Sequence, residues 1–194
     1  MKDDIPFETF TPLNALPFVQ HAFSLRSADD TRADDFPARF TRQLGYDSFA
    51  AAEQPHSNAV AVVAAPGRVP GVDALVTQQR GLPLVIRCAD CAPVFLVDRR
   101  TPAIALIHSG KKGTLANVVG NALKHIQADL AFIGPSIGPC HYDMDLWSEI
   151  ERQLAGVAEV HNPRVCTACH LDRYFSYRAE RGQTGRMLAV LSLR

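Results

Sequence analysis

Between Ala59 and Ile133 the chain is built from short apolar runs, each closed within a few residues by Gly, Pro or Asp. Ala59 to Ala64 ends at Pro66-Gly67, and Ala103 to His108 stops at Ser109-Gly110. Leu82 to Arg87 and Pro93 to Asp98 flank a Cys88-Ala89-Asp90-Cys91 turn, and Leu130 to Ile133 is closed by Gly134-Pro135. Runs this short suit buried strands better than helices. Helices are expected around them. Phe36, Phe40 and Leu44 share one face, follow an aspartate and meet a stop at Gly45. Leu115, Val118, Val119, Ala122, Leu123 and Ile126 predict one amphipathic helix, and Leu146, Trp147, Ile150 and Leu154 predict another. A further helix is expected near residues 171–180, then a last strand from Met187 to Leu193. The polar residues 26–35 read as a surface loop. Strands and helices in this irregular order predict an α+β fold of mixed sheets flanked by helices. No shift in composition divides the chain, so residues 1–194 are expected to form a single domain.

Composition narrows the function classes. With 47% hydrophobic residues over 194 positions the chain can bury a core, which excludes global disorder. Twenty basic and twenty acidic side chains cancel, leaving no long-range field for nucleic acid or an anionic membrane. No nucleic-acid or membrane partner is therefore expected. No apolar run approaches the ~18 residues of a membrane span. Met1-Lys2-Asp3-Asp4-Ile5-Pro6 has no apolar signal-peptide core. Five cysteines, an odd number without a disulfide-like spread, point to a reducing, cytoplasmic setting.

The residues able to do chemistry offer two metal-ligand patterns. Cys88 and Cys91 form one CxxC; Cys166 and Cys169 form another, beside His170. Together they suggest a structural zinc clip, although zinc ribbons usually space such pairs about 15–20 residues apart. The second pattern is His56, Cys91 and His108, each at a strand end where side chains can converge on one rim of a sheet. Two imidazoles and a thiolate leave a tetrahedral metal with one open position, which is the mark of a catalytic site. Seven histidines and five cysteines offer many accidental triples, and a metal-free pair, with Cys91 as nucleophile and His108 or His56 as base, uses the same residues. Gly110-Lys111-Lys112-Gly113 is a turn able to hold an anion, but lacks P-loop spacing. The tail arginines Arg173, Arg178, Arg181 and Arg186 read as a solvated face from which one can reach an active-site anion.

Taken together, several segments resemble the laccase-domain family, also called multicopper polyphenol oxidase-like or peptidoglycan editing factor proteins and described as zinc-dependent purine nucleoside phosphorylases. In order they are His21-Ala22-Phe23-Ser24-Leu25-Arg26, Gln54-Pro55-His56-Ser57, Asp73-Ala74-Leu75-Val76-Thr77 and Cys88-Ala89-Asp90-Cys91-Ala92-Pro93-Val94. There follow His108-Ser109-Gly110 with Gly113, Ile133-Gly134-Pro135-Ser136-Ile137 with Cys140 and Tyr142, Cys166-Thr167, Phe175-Ser176-Tyr177-Arg178 and Thr184-Gly185-Arg186-Met187. The resemblance implies a fold related to cytotoxic necrotizing factor and cysteine-hydrolase-like domains. It places the metal ligands on His56, Cys91 and His108, around Zn²⁺ or alternatively copper, and it leaves Cys88 and Cys169 out of that set.

The implied activity is phosphorolysis of adenosine or inosine and deamination of adenosine, with nucleoside and phosphate as small-molecule partners. Arg26, in the Phe-Ser-x-Arg motif, is the candidate phosphate ligand, and Asp90 is the candidate proton shuttle or orienting group. The older family name implies copper-dependent phenol oxidation, which would need more clustered histidines. The cell-wall name implies a cysteine hydrolase of a peptidoglycan precursor. Three departures bear on substrate recognition: Lys111-Lys112 stands in place of Trp-Arg, an acidic stretch follows Arg26, and the span from Leu154 to Cys166 is short.

Overall fold

The apolar runs pair into two six-stranded mixed sheets. The computed structural model describes residues 4–27 and 31–194, so Met1 to Asp3 and residues 28–30 of the expected loop lie outside the described residues. The strands are β1 (Phe7–Glu8), β2 (Val19–Ser24), β3 (Ala50–Ala52), β4 (Val60–Val62), β5 (Gly67–Val69) and β6 (Ala74–Thr77). They continue with β7 (Leu84–Cys88), β8 (Ala92–Asp98), β9 (Ala103–Ser109), β10 (Leu130–Ile133), β11 (Glu159–His161) and β12 (Met187–Leu193). One sheet runs β1-β2-β12-β7-β3-β5 and the other β11-β10-β8-β9-β6-β4. The helices are α1 (Thr11–Asn14), α2 (Phe36–Gln43), α3 (Lys111–Leu115), α4 (Val118–Ala122) and α5 (Leu146–Gln153), with a 3₁₀ turn at Thr167–Cys169. None of them is long and apolar enough to cross a membrane. The expected α+β architecture of mixed sheets and flanking helices is what the chain adopts.

The two sheets face each other across one apolar layer. Ile86, Met187, Ala189 and Leu191 of the first meet Leu75, Phe95, Ile104 and Leu106 of the second. The intervening residues point outward and are covered in turn. Phe36 and Phe40 of α2 lie on Val85, Leu188 and Val190. Val118 and Val119 of α4, with Trp147 and Ile150 of α5, lie on Val94, Leu96, Ala105 and Ile107. The layers therefore run helix, sheet, sheet, helices. The central strands are buried on both faces, which is why they read as continuous apolar runs instead of alternating ones. Phe36 and Phe40 sit one turn apart and are fully buried. Burial of each contributes about 1.5–3 kcal/mol. The helix stops where Gly45 takes φ +93°, a left-handed conformation that glycine adopts without strain. Asp145 caps α5 by accepting the Ser148 N–H at 3.1 Å.

Two expected helices differ. The helix expected to include both Leu115 and Val118 is broken into α3 and α4 at Asn117, whose φ is +62°. Asparagine tolerates that conformation, and the break leaves Leu115 67% exposed while Val118 and Val119 stay buried. No helix forms at 171–180, because other groups capture its backbone. The Arg173 carbonyl accepts the Arg26 N–H, and the Tyr174 carbonyl accepts the Arg26 guanidinium. Tyr174, Phe175 and Ser176 are buried in succession, which a helix with one buried face cannot do. The short span after Leu154 still carries a strand, β11, parallel to β10.

Candidate metal centre and its cleft

His56, Cys91 and His108 each bring one donor atom to a common point, and these atoms all lie within 4.8 Å of one another. All three come from places where the chain reaches one rim of the sandwich. His56 lies on the passage from β3 in the first sheet to β4 in the second, and Cys91 on the passage from β7 to β8. His108 is near the end of β9, where Ser109 pairs with Ala92 and His108 with Pro93. The His56 and His108 rings meet edge to face, 4.9 Å between centroids, and Cys91 Sγ is 3.9 Å from His56 Nε2. Gly110 makes room for them. A Cβ on it would come within 2.6 Å of Cys91 Sγ and 3.2 Å of His56 Cδ2.

Beneath the three donors is Asp73, whose side chain has no exposed surface. Its Oδ1 accepts His108 Nδ1 at 2.8 Å and the His56 backbone N–H at 3.1 Å. Its Oδ2 accepts the Ser57 N–H at 2.6 Å and Ser57 Oγ at 2.9 Å. The His108 backbone N–H also donates to the Asp73 carbonyl. One carboxylate thus fixes both histidines and leaves His108 Nε2 free to face Cys91. A ligating histidine commonly gives its other ring N–H to a carboxylate in this way. Asp73 lay outside the candidate residues read from sequence; an aspartate heading the apolar run Ala74–Val76 is the signal that could have found it.

The electrostatics favour a thiolate. Burial pushes the Cys91 thiol up, but the His108 charge and hydrogen bonds from His108 and His56 outweigh it and bring it down to about 6. Burial alone would lower His108, yet the Cys91 thiolate and the Asp73 carboxylate raise it to about 9. Burial opposes charge on Asp73 too, and its hydrogen bonds from His108 and Ser57 still hold it below the usual carboxylate range. A thiolate and two imidazoles suit a borderline-soft cation in a tetrahedral site with one open position.

The donors open into a cleft of about 780 Å³. Its walls carry Lys111, Lys112, Arg87, Arg178 and Arg186 against the acidic Glu53 and Asp90, so the field inside is positive. Arg178 lies over the Tyr142 ring at 4.8 Å, and Lys111 pairs with Asp143 at 2.7 Å. Among the tail arginines, Arg178 and Arg186 reach the cleft lining and Arg173 and Arg181 do not.

Asp90 lines the cleft with both carboxylate oxygens engaged. Oδ1 accepts Thr167 Oγ1 and Oδ2 accepts the Arg178 N–H, each at 2.7 Å. Arg26 is not among the lining residues. Its guanidinium donates to the Tyr174 carbonyl, pairs with Glu180 at 2.8 Å and stacks on Phe175. The two CxxC motifs do not assemble with each other. Cys88 is buried in the sheet core, Cys91 joins the histidines, and Cys166 and Cys169 gather with Cys140 and His141.

Known proteins share this architecture. The crystal structure of YlmD from Geobacillus stearothermophilus superposes with a TM-score of 0.85 at 23% identity, over 98% of this chain and 99% of that one. That of a hypothetical protein YfiH from Bacillus licheniformis gives 0.88 at 18% identity, over 100% and 98% of the two chains. Both likenesses establish the fold. In sequence the chain is 30% identical over 168 residues to "Purine nucleoside phosphorylase YlmD" of G. stearothermophilus, an alignment covering 65% of this chain and 61% of that protein. The chain thus spans less than two thirds of the length of that curated relative. The family model described as multi-copper polyphenol oxidoreductase laccase matches residues 15–146 and 141–194, and with nearly the whole chain so matched, the protein belongs to that family.

Proposed function

We propose that residues 1–194 form one domain that catalyses phosphorolysis of purine nucleosides at the His56, Cys91 and His108 centre. The observation that carries this reading is the convergence of these three donors over Asp73 at the floor of a positively charged cleft. The relative named a purine nucleoside phosphorylase supports the substrate class. His56, Cys91 and His108 would hold a zinc ion, whose contribution would be Lewis-acid stabilisation of negative charge at the reacting end.

The remaining work falls to the chain's own side chains. Phosphate is an anion, and Arg178, Arg186 and Lys112 are the cations on the cleft wall that would draw and orient it. Tyr142 and Tyr177, both on that wall, would give the purine an aromatic face. A phosphate oxygen then attacks the sugar carbon, the carbon–nitrogen bond breaks, and the base leaves with the electron pair and takes up a proton. Asp73 keeps His108 in the tautomer that points Nε2 at the reacting end. Asp90 acts as a positioning residue, tying the turn that carries Cys91 to Thr167 and Arg178. Deamination of adenosine would use the same centre on a different carbon: water would add to the ring carbon that bears the amino group, and ammonia would leave.

A second reading has one observation in its favour. Cys91, His108 and Asp73 stand in the order nucleophile, base and orienting acid, the arrangement of a metal-free cysteine hydrolase. Copper-dependent phenol oxidation has less support. Among the described residues the only other donor group has one histidine and three cysteines, not the histidine clusters that several coppers need.

The test is incubation of metal-analysed protein with adenosine, with and without phosphate, beside Cys91→Ser. Adenine released only with phosphate supports phosphorolysis, and inosine supports deamination, provided the variant is silent. No turnover by zinc-loaded protein overturns the purine reading. Activity that survives complete removal of metal would move the assignment to the cysteine hydrolase.

A further inference from the structure

A second set of soft donors meets away from the cleft's three ligands. Cys140 and His141 lie in the loop between β10 and α5, Cys166 precedes the 3₁₀ turn and Cys169 is its last residue. The four donor atoms lie within 4.8 Å of one another. Cys140 Sγ is 3.6 Å from Cys169 Sγ. His141 Nδ1 is 3.3 Å from Cys140 Sγ, 3.5 Å from Cys169 Sγ and 3.8 Å from Cys166 Sγ.

These separations can be compared with what a metal requires. With Zn–S near 2.3 Å and Zn–N near 2.0–2.1 Å, tetrahedral geometry sets ligands about 3.8 Å apart for S···S and about 3.6 Å for S···N. The four separations above cluster around those values. Packing does not account for the group, because Cys140, His141 and Cys169 are all exposed. Nor does a disulfide, since all five cysteines are free thiols. The most buried member, Cys166, receives the Gly138 backbone N–H on its sulfur at 3.2 Å, the kind of outer hydrogen bond that supports a ligating thiolate.

We propose that Cys140, His141, Cys166 and Cys169 bind a structural zinc ion in a closed Cys₃His site. No ligand is shared with the open centre, and four protein ligands leave no position for substrate. Its place in the fold gives it a task. The loop bearing Cys140 also supplies the Ile137 N–H that donates to the Asp90 carbonyl at 2.9 Å. The turn bearing Cys169 supplies Thr167 Oγ1, which donates to Asp90 Oδ1. The ion would therefore fasten together the two segments that hold the Cys91 turn, and it would steady Tyr142 on the cleft wall.

The experiment is metal counting on the full chain, purified reduced, for wild type, Cys91→Ser and the double variant Cys140→Ser/Cys169→Ser. The expected zinc content is roughly two per chain in wild type and roughly one in each variant. Cobalt offered to Cys91→Ser should give the visible absorption of a tetrahedral, thiolate-rich site, and the double variant should lose it. Cys91→Ser that binds neither zinc nor cobalt while folded overturns the proposal. So does a double variant that keeps the full wild-type zinc content. Should Cys91→Ser not fold, His56→Ala takes its place; should the double variant not fold, the cobalt spectrum of the single variant decides.

Discussion

Asp73→Asn isolates the residue on which the metal centre rests. The substitution keeps size and shape and replaces one carboxylate oxygen by an NH₂ group. Each oxygen of Asp73 now accepts two hydrogen bonds, from His56 and His108 on one side and from Ser57 twice on the other. Whichever way the amide turns, its NH₂ faces a backbone N–H that cannot turn away. Asp73 is fully buried, so water cannot make good the loss. Hydrogen bonds to a charged group contribute about 1.5–3 kcal/mol each, so the metal-free protein should lose about 3 kcal/mol of stability. Removing a carboxylate that holds a ligating histidine costs about 10–100-fold in metal affinity, equivalent to about 1.4–2.7 kcal/mol. The assays are urea unfolding of metal-free protein and zinc competition against a chromophoric chelator, with His56→Ala as the variant that loses a ligand outright. An unchanged zinc affinity in folded Asp73→Asn would refute the claim that Asp73 sets the ligand geometry.

Gly110→Ala puts a methyl 2.6 Å from Cys91 Sγ at a backbone (φ −94°) that any residue accepts. Zinc at the open centre should therefore weaken at least tenfold by chelator competition with the fold retained; equal affinity would show that Cys91 has another place to go. His21, 4% exposed, is held near pKa 4 by burial, and its Nε2 accepts the Phe10 N–H at 2.7 Å. The unfolded chain binds the extra proton first, so this stability is present above about pH 6.5 and falls by about 2 kcal/mol between pH 6.5 and 5. Urea unfolding of wild type and His21→Gln should diverge over that window, and parallel pH curves would refute the assignment. Arg178→Gln, which leaves the backbone bond to Asp90 in place, should raise the KM for phosphate by about tenfold, the worth of one charge-assisted contact, and change the KM for nucleoside little. Equal increases in both would argue against a phosphate role.

The strands were legible because burial on both faces removes the need for alternation, so β7, β8 and β9 appear as plain apolar runs bounded by turn residues. Their partners were not. Leu82–Arg87 and Pro93–Asp98 look like a hairpin around the Cys88–Cys91 turn, yet β7 and β8 belong to opposite sheets. Pairing is decided by residues far apart, such as Leu84 with both Ala50 and Leu191. His56, Cys91 and His108 lay at the ends of expected strands, and the structure brings them together on one rim. Local pattern marks Asp73 only as an aspartate heading an apolar run; its role comes from partners 16, 17 and 35 residues away. The same distance hid the grouping of Cys166 and Cys169 with Cys140 and His141, 25 to 29 residues earlier. Arg26 shows the opposite limit. A motif fixes that an arginine is present, but its direction depends on Tyr174 and Glu180, 148 and 154 positions further on.

Three of the six non-glycine residues with positive φ among the described residues lie beside the centre, the others being Asn117, Arg164 and Arg181. Gln54, His56 and Asp90 all have positive φ, at 65°, 64° and 84°. For residues with a Cβ, each such conformation costs about 1–3 kcal/mol and persists only where surrounding bonds over-determine it. Here each is over-determined by a different element. The Gln54 side chain exchanges two bonds with the Arg87 backbone, at 2.7 and 2.8 Å, and so carries the pairing of β3 with β7 beyond its last backbone partner. Asp73 holds the His56 backbone, and Thr167 and Arg178 hold Asp90. Glycine at Gln54, His56 or Asp90 would relieve the strain, but it would remove the side chain that forms the tie or, at His56, the donor itself. Each conformation is therefore supported by a bond to a residue 17 or more positions away in sequence, within the first sheet for Gln54 and outside it for His56 and Asp90. Two of the ligands, His56 and Cys91, lie on passages between the sheets and the third, His108, lies near the end of β9, so the centre is organised only once both sheets have met.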